Sequence, residues 1–257
     1  CTNARYPLGY RHSSIAGHQV LLVKEEGGEM VRVSDYPDSL RLKSETVDVE
    51  LMADGTAVCK GQRRLVLNNV ESYIGFRSLD AKAQFRAIMS GNSFNPTDFT
   101  ILSVEDNFND WTSMEPDEEY IPELRIRYSY TVKDYAKAAG DRIFMDMNPF
   151  AKKLYSDRSP RINDMVINSE TTLSDTVRIN LPAGYIPESL PSSGIVESQF
   201  GCLATEVTQS EDQSVVTIVQ TFRFYPGRFP KEVYADYRTF ARSVSRIYDA
   251  KIVLVRK

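Results

Sequence analysis

The side chains that carry much of enzyme chemistry are scarce in this sequence. Its 257 residues include two histidines, three cysteines and one tryptophan. Cys1, Cys59 and Cys202 are too few for a disulfide framework, and none sits in a CxxC pair. Cys59 and Cys202 fall in apolar, strand-like stretches and read as buried free thiols, a bridge between them being the alternative. His12 and His18 match neither an HExxH helix nor another zinc spacing, so they read as loop histidines with local hydrogen bonds and no metal is expected. A nucleophilic Cys1 would need a histidine beside it in space, with His12 the candidate. There is no GxGxxG or Walker loop, hence no support for a nucleotide cofactor, and no cofactor is expected. No apolar run reaches the ~18–20 residues of a membrane span. Positive charge is not concentrated either. Lysine and arginine total 31 against 35 acidic residues, for a net charge of -4. No basic run exceeds two, which excludes the positive field that nucleic acids require.

What remains is ordinary for a globular chain, with 42% hydrophobic and 26% charged residues. Short alternating runs dominate. Val20–Val23 and Met30–Val33 flank Gly27-Gly28, which reads as a hairpin turn. Val47, Val49 and Leu51 alternate with Asp48 and Glu50. Asp54-Gly55 follows, a pair suited to a type I′ turn, and strand resumes at Thr56. Phe99 to Phe108 and Leu124 to Val132 read as strands, with Gly140 to Met147 expected to pair back onto the latter. Val177, Ile179 and Leu181 alternate up to Pro182, and Ile195–Phe200, Leu203–Val207, Val215–Phe224 and Lys251–Val255 are further strands. Two stretches carry helical spacing, about 70–90 and 230–248, the second with Pro230 placed for a first helical residue. The expected fold is mainly β, with sandwich-like antiparallel sheets and two amphipathic helices. A break over 148–160 suggests β-rich units at 41–155 and 156–257, either separate or forming one continuous sandwich, preceded by an arm at 1–40.

Two further features bear on binding. Glu115, Asp117, Glu118 and Glu119 surround Pro116 without the regular spacing of a calcium loop, so they read as a solvated acidic loop. Trp111 and Tyr120 flank that loop and are candidate ligand contacts, since exposed aromatics beside carboxylates stack on sugars or peptides. Such residues more often anchor a loop onto the core, and that is the first reading for both.

Three stretches carry a resemblance. Cys1-Thr2-Asn3-Ala4, with Pro7-Leu8-Gly9-Tyr10 and Ala16-Gly17-His18, resembles the end of a transglutaminase-like catalytic domain. The last catalytic motif of that superfamily reads Asp-x-Thr before a Pro-x-Gly turn, so Thr2 would be its threonine and Cys1 its middle residue. Leu181-Pro182-Ala183-Gly184-Tyr185 with Glu188-Ser189-Leu190-Pro191 resembles the β-domain of unknown function that follows the papain-like core. Phe229 to Tyr234 and Lys251 to Val255 resemble that domain's closing helix and strand. The resemblance implies that 1–40 is the tail end of the core. It also implies that the Cys, His and Asp of the triad lie before Cys1, so the chain itself is not an enzyme. The expected role is a non-catalytic accessory domain of an exported protein of Gram-negative bacteria, in the periplasm or at the cell surface. Its partners would be the upstream core and a peptide or glycan. The alternative is a stand-alone surface lipoprotein or periplasmic module that binds a glycan or peptide, with Cys1 as the lipidated residue. Either way, a start at Cys1 reads as a processed or truncated product.

Overall fold

A computed structural model describes residues 6, 10–90, 94–108, 120–150, 154, 161–168 and 171–257. Sixteen strands and two α-helices are formed by the described residues. Strands β1 (Gln19–Lys24) and β2 (Gly27–Arg32) make a separate hairpin. Strands β3 (Leu42–Leu51), β4 (Ala57–Val66), β5 (Thr97–Asp106) and β6 (Glu123–Val132) follow, with α1 (Ala81–Met89) between β4 and β5. Next come β7 (Ala136–Ala139), β8 (Arg142–Asp146), β9 (Met165–Ile167), β10 (Thr171–Asn180), β11 (Tyr185–Ser189) and β12 (Gly194–Ser198). The chain closes with β13 (Gly201–Gln209), β14 (Val215–Phe224), β15 (Gly227–Phe229), α2 (Tyr234–Tyr248) and β16 (Lys251–Arg256).

Eight strands form one sheet in the order β12-β13-β14-β10-β3-β4-β6-β5, and four form a second in the order β11-β16-β8-β7. The fold is mainly antiparallel β, as the alternating runs imply. One pair departs from this: β10 runs parallel to β3 at the middle of the large sheet. Strands from 41–155 and from 156–257 therefore hydrogen-bond to each other directly at that seam.

Period-2 alternation explains which way each strand faces. In β3, Val47, Val49 and Leu51 point inward while Asp48 and Glu50 meet solvent. The same phase buries Cys59 and Leu65 of β4, Val177 and Ile179 of β10, and Ile218 and Phe222 of β14. The inner face is covered in two places. Towards one end, Ile143 and Met145 of β8 with Ile252 and Leu254 of β16 close the main core against Val47, Val49 and Ile179. Towards the other, Phe240 and Val244 of α2 pack on Phe200, Leu203 and Phe222.

Several local expectations are corrected. The first hairpin turns at Glu25-Glu26, because Lys24 already pairs with Gly27, so the two glycines begin β2. The Asp54-Gly55 turn is a three-residue loop and not a type I′ pair. Met52 N–H donates to the Thr56 carbonyl at 2.8 Å, and Gly55 closes the turn at φ 90°. The helix expected near 70–90 is broken into 3₁₀ turns at Leu67–Tyr73 and Phe76–Ser78 before α1 begins. Gly75 interrupts it, and Asp80 caps α1 by accepting the Ala83 N–H at 2.7 Å. Pro230 is extended and precedes a 3₁₀ turn at Lys231–Val233, so α2 starts at Tyr234. Strand β8 pairs with β16 and β7 in the smaller sheet, not with β6.

One close approach depends on the absence of a side chain. The Tyr128 ring of β6 lies across Gly61 of β4, where a Cβ would collide with it. Gly61→Ala is expected to lower the unfolding free energy by about 1–3 kcal/mol through overpacking. The double variant Gly61→Ala/Tyr128→Leu should recover part of that loss in urea unfolding. An additive pair would show that the ring does not occupy this space.

Candidate functional site

Five neighbouring strands place polar side chains in the inward phase at a single level of the large sheet. Thr205 of β13 pairs with Gln220 of β14, and Gln220 with Asp175 of β10. Asp175 then pairs with Glu45 of β3, and Glu45 with Arg63 of β4. The result is a continuous row, Thr205–Gln220–Asp175–Glu45–Arg63, across the buried face. On one side of it lie Val47, Val177 and Ile218, and on the other Leu203, Leu173 and Phe222.

The row is hydrogen-bonded at both ends. Arg63 Nε donates to Glu45 Oε2 at 2.5 Å. Its NH1 donates to the Tyr73 hydroxyl at 2.9 Å and the Ala87 carbonyl at 3.3 Å, and its NH2 donates to the Ile88 carbonyl at 3.0 Å. Those carbonyls belong to the last turn of α1, which has no helical donors of its own for them. Arg63 thus satisfies the helix end and adds a favourable charge there. At the other end, Asn148 Nδ2 donates to Gln220 Oε1 at 2.8 Å, and Gln220 Nε2 donates to Thr205 Oγ1 at 3.3 Å.

Asp175, in the middle, is held less firmly. Its one hydrogen bond among the described residues is from Asn148 Nδ2 to Oδ2, at 3.5 Å. Burial raises its pKa from 3.8 to about 6, and the neighbouring Glu45 carboxylate adds to that, while Lys43, Asn148 and Arg63 act the other way. Burial and then the charge of Asp175 also raise the pKa of the Tyr248 hydroxyl on α2.

A cavity of about 540 Å³ opens over this row. Its floor carries Lys43, Glu45, Arg63, Asp175 and Gln220, and its walls carry aromatic rings including Tyr73, Tyr128, Phe150, Phe222, Tyr237 and Tyr248. Arg161 also lines it, with its guanidinium carbon 5.2 Å from the centre of the Tyr234 ring. A concave site with apolar walls and a few convergent polar groups is the usual form of a small-ligand pocket. Nothing in the chain's motifs pointed to it. The usable signal was phase: Glu45, Arg63, Asp175 and Gln220 each occupy a position where their strand otherwise turns apolar residues inward.

The residues singled out from sequence lie elsewhere. Trp111 and the acidic residues 115–119 are outside the described residues, as is Cys1. Tyr120 is 7% exposed and sits in a small cluster with Tyr10, Tyr36 and Leu67. Its hydroxyl donates to the Asn107 carbonyl at 3.2 Å, so it anchors the chain and offers no open platform. His12 Nε2 lies 3.1 Å from a Glu71 carboxylate oxygen, and its Nδ1 is 3.0 Å from Ser14 Oγ. His18 Nδ1 is 2.9 Å from the Ala16 carbonyl oxygen. Cys59 and Cys202 are free, the first buried and the second half-buried, so no bridge joins them. Burial pushes the Cys59 thiol up to about 12 and raises that of Cys202. Among the described residues, no group of three His, Cys, Asp or Glu side chains is placed to hold a metal ion. No helix among them is long and apolar enough to cross a membrane.

Residues 141–254 match a family described as a domain of unknown function with solved-structure structure, DUF3858. No curated protein matches the chain. Among solved structures, a "putative protease" from Parabacteroides distasonis is similar over 73% of this chain and 36% of its own, at 13% identity and a TM-score of 0.30. The chain thus spans about a third of that protein.

Two variants probe the row. Arg63→Ala should cost about 3–5 kcal/mol in urea unfolding, because it strands a buried carboxylate and the Ile88 carbonyl, while the Ala87 carbonyl keeps the Tyr73 hydroxyl. A loss below 1 kcal/mol would mean that the pair is solvated. Asp175→Asn should do the opposite. Asp175 binds its proton more tightly in the folded chain than in the unfolded one, so its ionisation opposes folding. That penalty is absent below the ordinary value of 3.8, grows between there and about 6, and is complete above. The variant should therefore gain about 2 kcal/mol at pH 7.5 and nothing near pH 3.5. A gain independent of pH would show that the carboxylate is not the cause.

Proposed function

We propose that this chain is a non-catalytic accessory β-domain of a larger, exported transglutaminase-like protein, and that its cavity holds part of the substrate on which the upstream core acts. The observation that carries the binding role is the cavity itself, whose charged floor is built from four adjacent strands and enclosed by aromatic rings. A charged row inside a sheet costs desolvation energy that an apolar row would not, so an apolar core would be the simpler construction if stability were its only role.

The accessory reading draws on the resemblance of Cys1 to Gly9 to the end of a transglutaminase-like core, and on that of 181–191 to the domain after it. The match of 141–254 to a family of unknown function is consistent with a domain that recurs in other proteins. The non-catalytic reading is supported by the state of the thiols: Cys59 is buried and its pKa is high, which suits packing and not nucleophilic attack. Placement in the periplasm or at the cell surface follows from the same resemblance. The second reading, a stand-alone surface lipoprotein or periplasmic module that captures a peptide or glycan, would use the same cavity without a core.

Intact mass and N-terminal sequencing of the native gene product separate the two. The accessory reading expects a product much longer than 257 residues, with Asp directly before Cys1 and the Cys and His of the triad further upstream. In a pull-down, the chain should retain that upstream core. A product that begins at a lipid-modified Cys1 would overturn the accessory reading in favour of the stand-alone module.

A further inference from the structure

Most polar groups on the cavity floor already have partners within the fold. Arg63 bonds to Glu45, Tyr73 and the end of α1, and Gln220 bonds to Asn148 and Thr205. Asp175 differs, since its half-buried carboxylate faces the cavity with one long bond from Asn148. The groups that face it are Glu45 and Lys43 on β3, Arg63 on β4, Asn148 after β8 and Tyr248 on α2. Tyr248 lies near enough to sense its charge, yet no hydrogen bond joins the two. The neighbouring Glu45 carboxylate is tied to Arg63 and still adds to the negative field at Asp175.

We propose that the cavity is selective for an organic cation, a ligand with a primary ammonium group seated on Asp175 between the aromatic walls. This deepens the proposed function and rests on the cavity being a ligand site. An ammonium supplies close hydrogen-bond donors, where Asp175 has one at 3.5 Å, together with an opposite charge. Ring faces of tyrosine and phenylalanine attract cations further when water is excluded. One wall already displays that chemistry, because Arg161 stands over the Tyr234 ring. An anionic group at the same place would face Asp175 and Glu45 together. Of the two cations whose charge reaches Asp175, Lys43 acts on it without a hydrogen bond between them, and Arg63 is engaged on all three of its nitrogens. A neutral hydroxyl could donate to Asp175 but would add no opposite charge.

The test compares benzylammonium with benzyl alcohol, which have nearly the same shape and differ in charge. Each is titrated into the chain at pH 7.5, with two-dimensional amide NMR as the readout. Benzylammonium should shift the resonances of Asp175, Gln220 and Phe222, with a Kd at least tenfold lower than that of the alcohol. Asp175→Asn should bring the two to within twofold. Equal binding of both probes to the parent chain would overturn the cation preference while leaving the cavity as a ligand site. A preference that survives in Asp175→Asn would overturn the assignment to Asp175. If neither probe shifts these resonances, both this inference and the binding role of the cavity fail. The comparison in the parent chain stands whatever the variant does.

Discussion

The contact on which the rest of this structure depends is that between Arg63 and Glu45. Two charges placed inside a sheet lose their hydration, and their mutual attraction offsets that loss only if the remaining polar atoms are also satisfied. Arg63 meets this condition for its own donors by reaching past Glu45 to Tyr73 and to the last carbonyls of α1. One side chain thus neutralises a buried carboxylate, caps a helix and fixes where that helix sits on the sheet. The helix in turn forms part of the wall of the cavity through Ala87, with Ser90 just beyond its end.

The polar row has a second consequence, for the division of the core. The apolar residues on its two sides form separate clusters, one closed by the four-stranded sheet and the other by α2. Side chains that interdigitate freely would merge them. A charged row cannot be packed over by apolar side chains without leaving its lone pairs unsatisfied, and the space above it is the cavity. The site is thus a product of the sheet's architecture. Because the row crosses the parallel β3–β10 seam, neither half of the chain could form it alone.

Much of the strand pattern was legible in the sequence, because alternation and turn residues are local signals. Val47, Val49 and Leu51 face inward as their spacing implies, and β14 spans Val215–Phe224 as read from the sequence. What was not legible is non-local. Strand β8 looks like a partner for β6 until β16, more than a hundred residues later, supplies its edge. The broken helix near residue 75 shows tertiary packing overriding helical spacing, since Val70 and Phe76 are buried in the main core from 3₁₀ turns. The site was hidden for a related reason. Glu45, Arg63 and Asp175 look like surface charges one at a time, and only their shared phase across neighbouring strands reveals a buried row. Tyr120 takes the anchoring role, the first of its two readings, in a tyrosine cluster whose other members lie far away in sequence.

Native-state hydrogen exchange across the β3–β10 seam tests most directly whether the row unites the two halves. The amides of Val47 and Val177, which are paired in register and buried, should exchange only through an opening that matches global unfolding. If β10 and β14 exchange through a cheaper opening that leaves β3 and β4 protected, the halves are independent units and the row does not organise the fold.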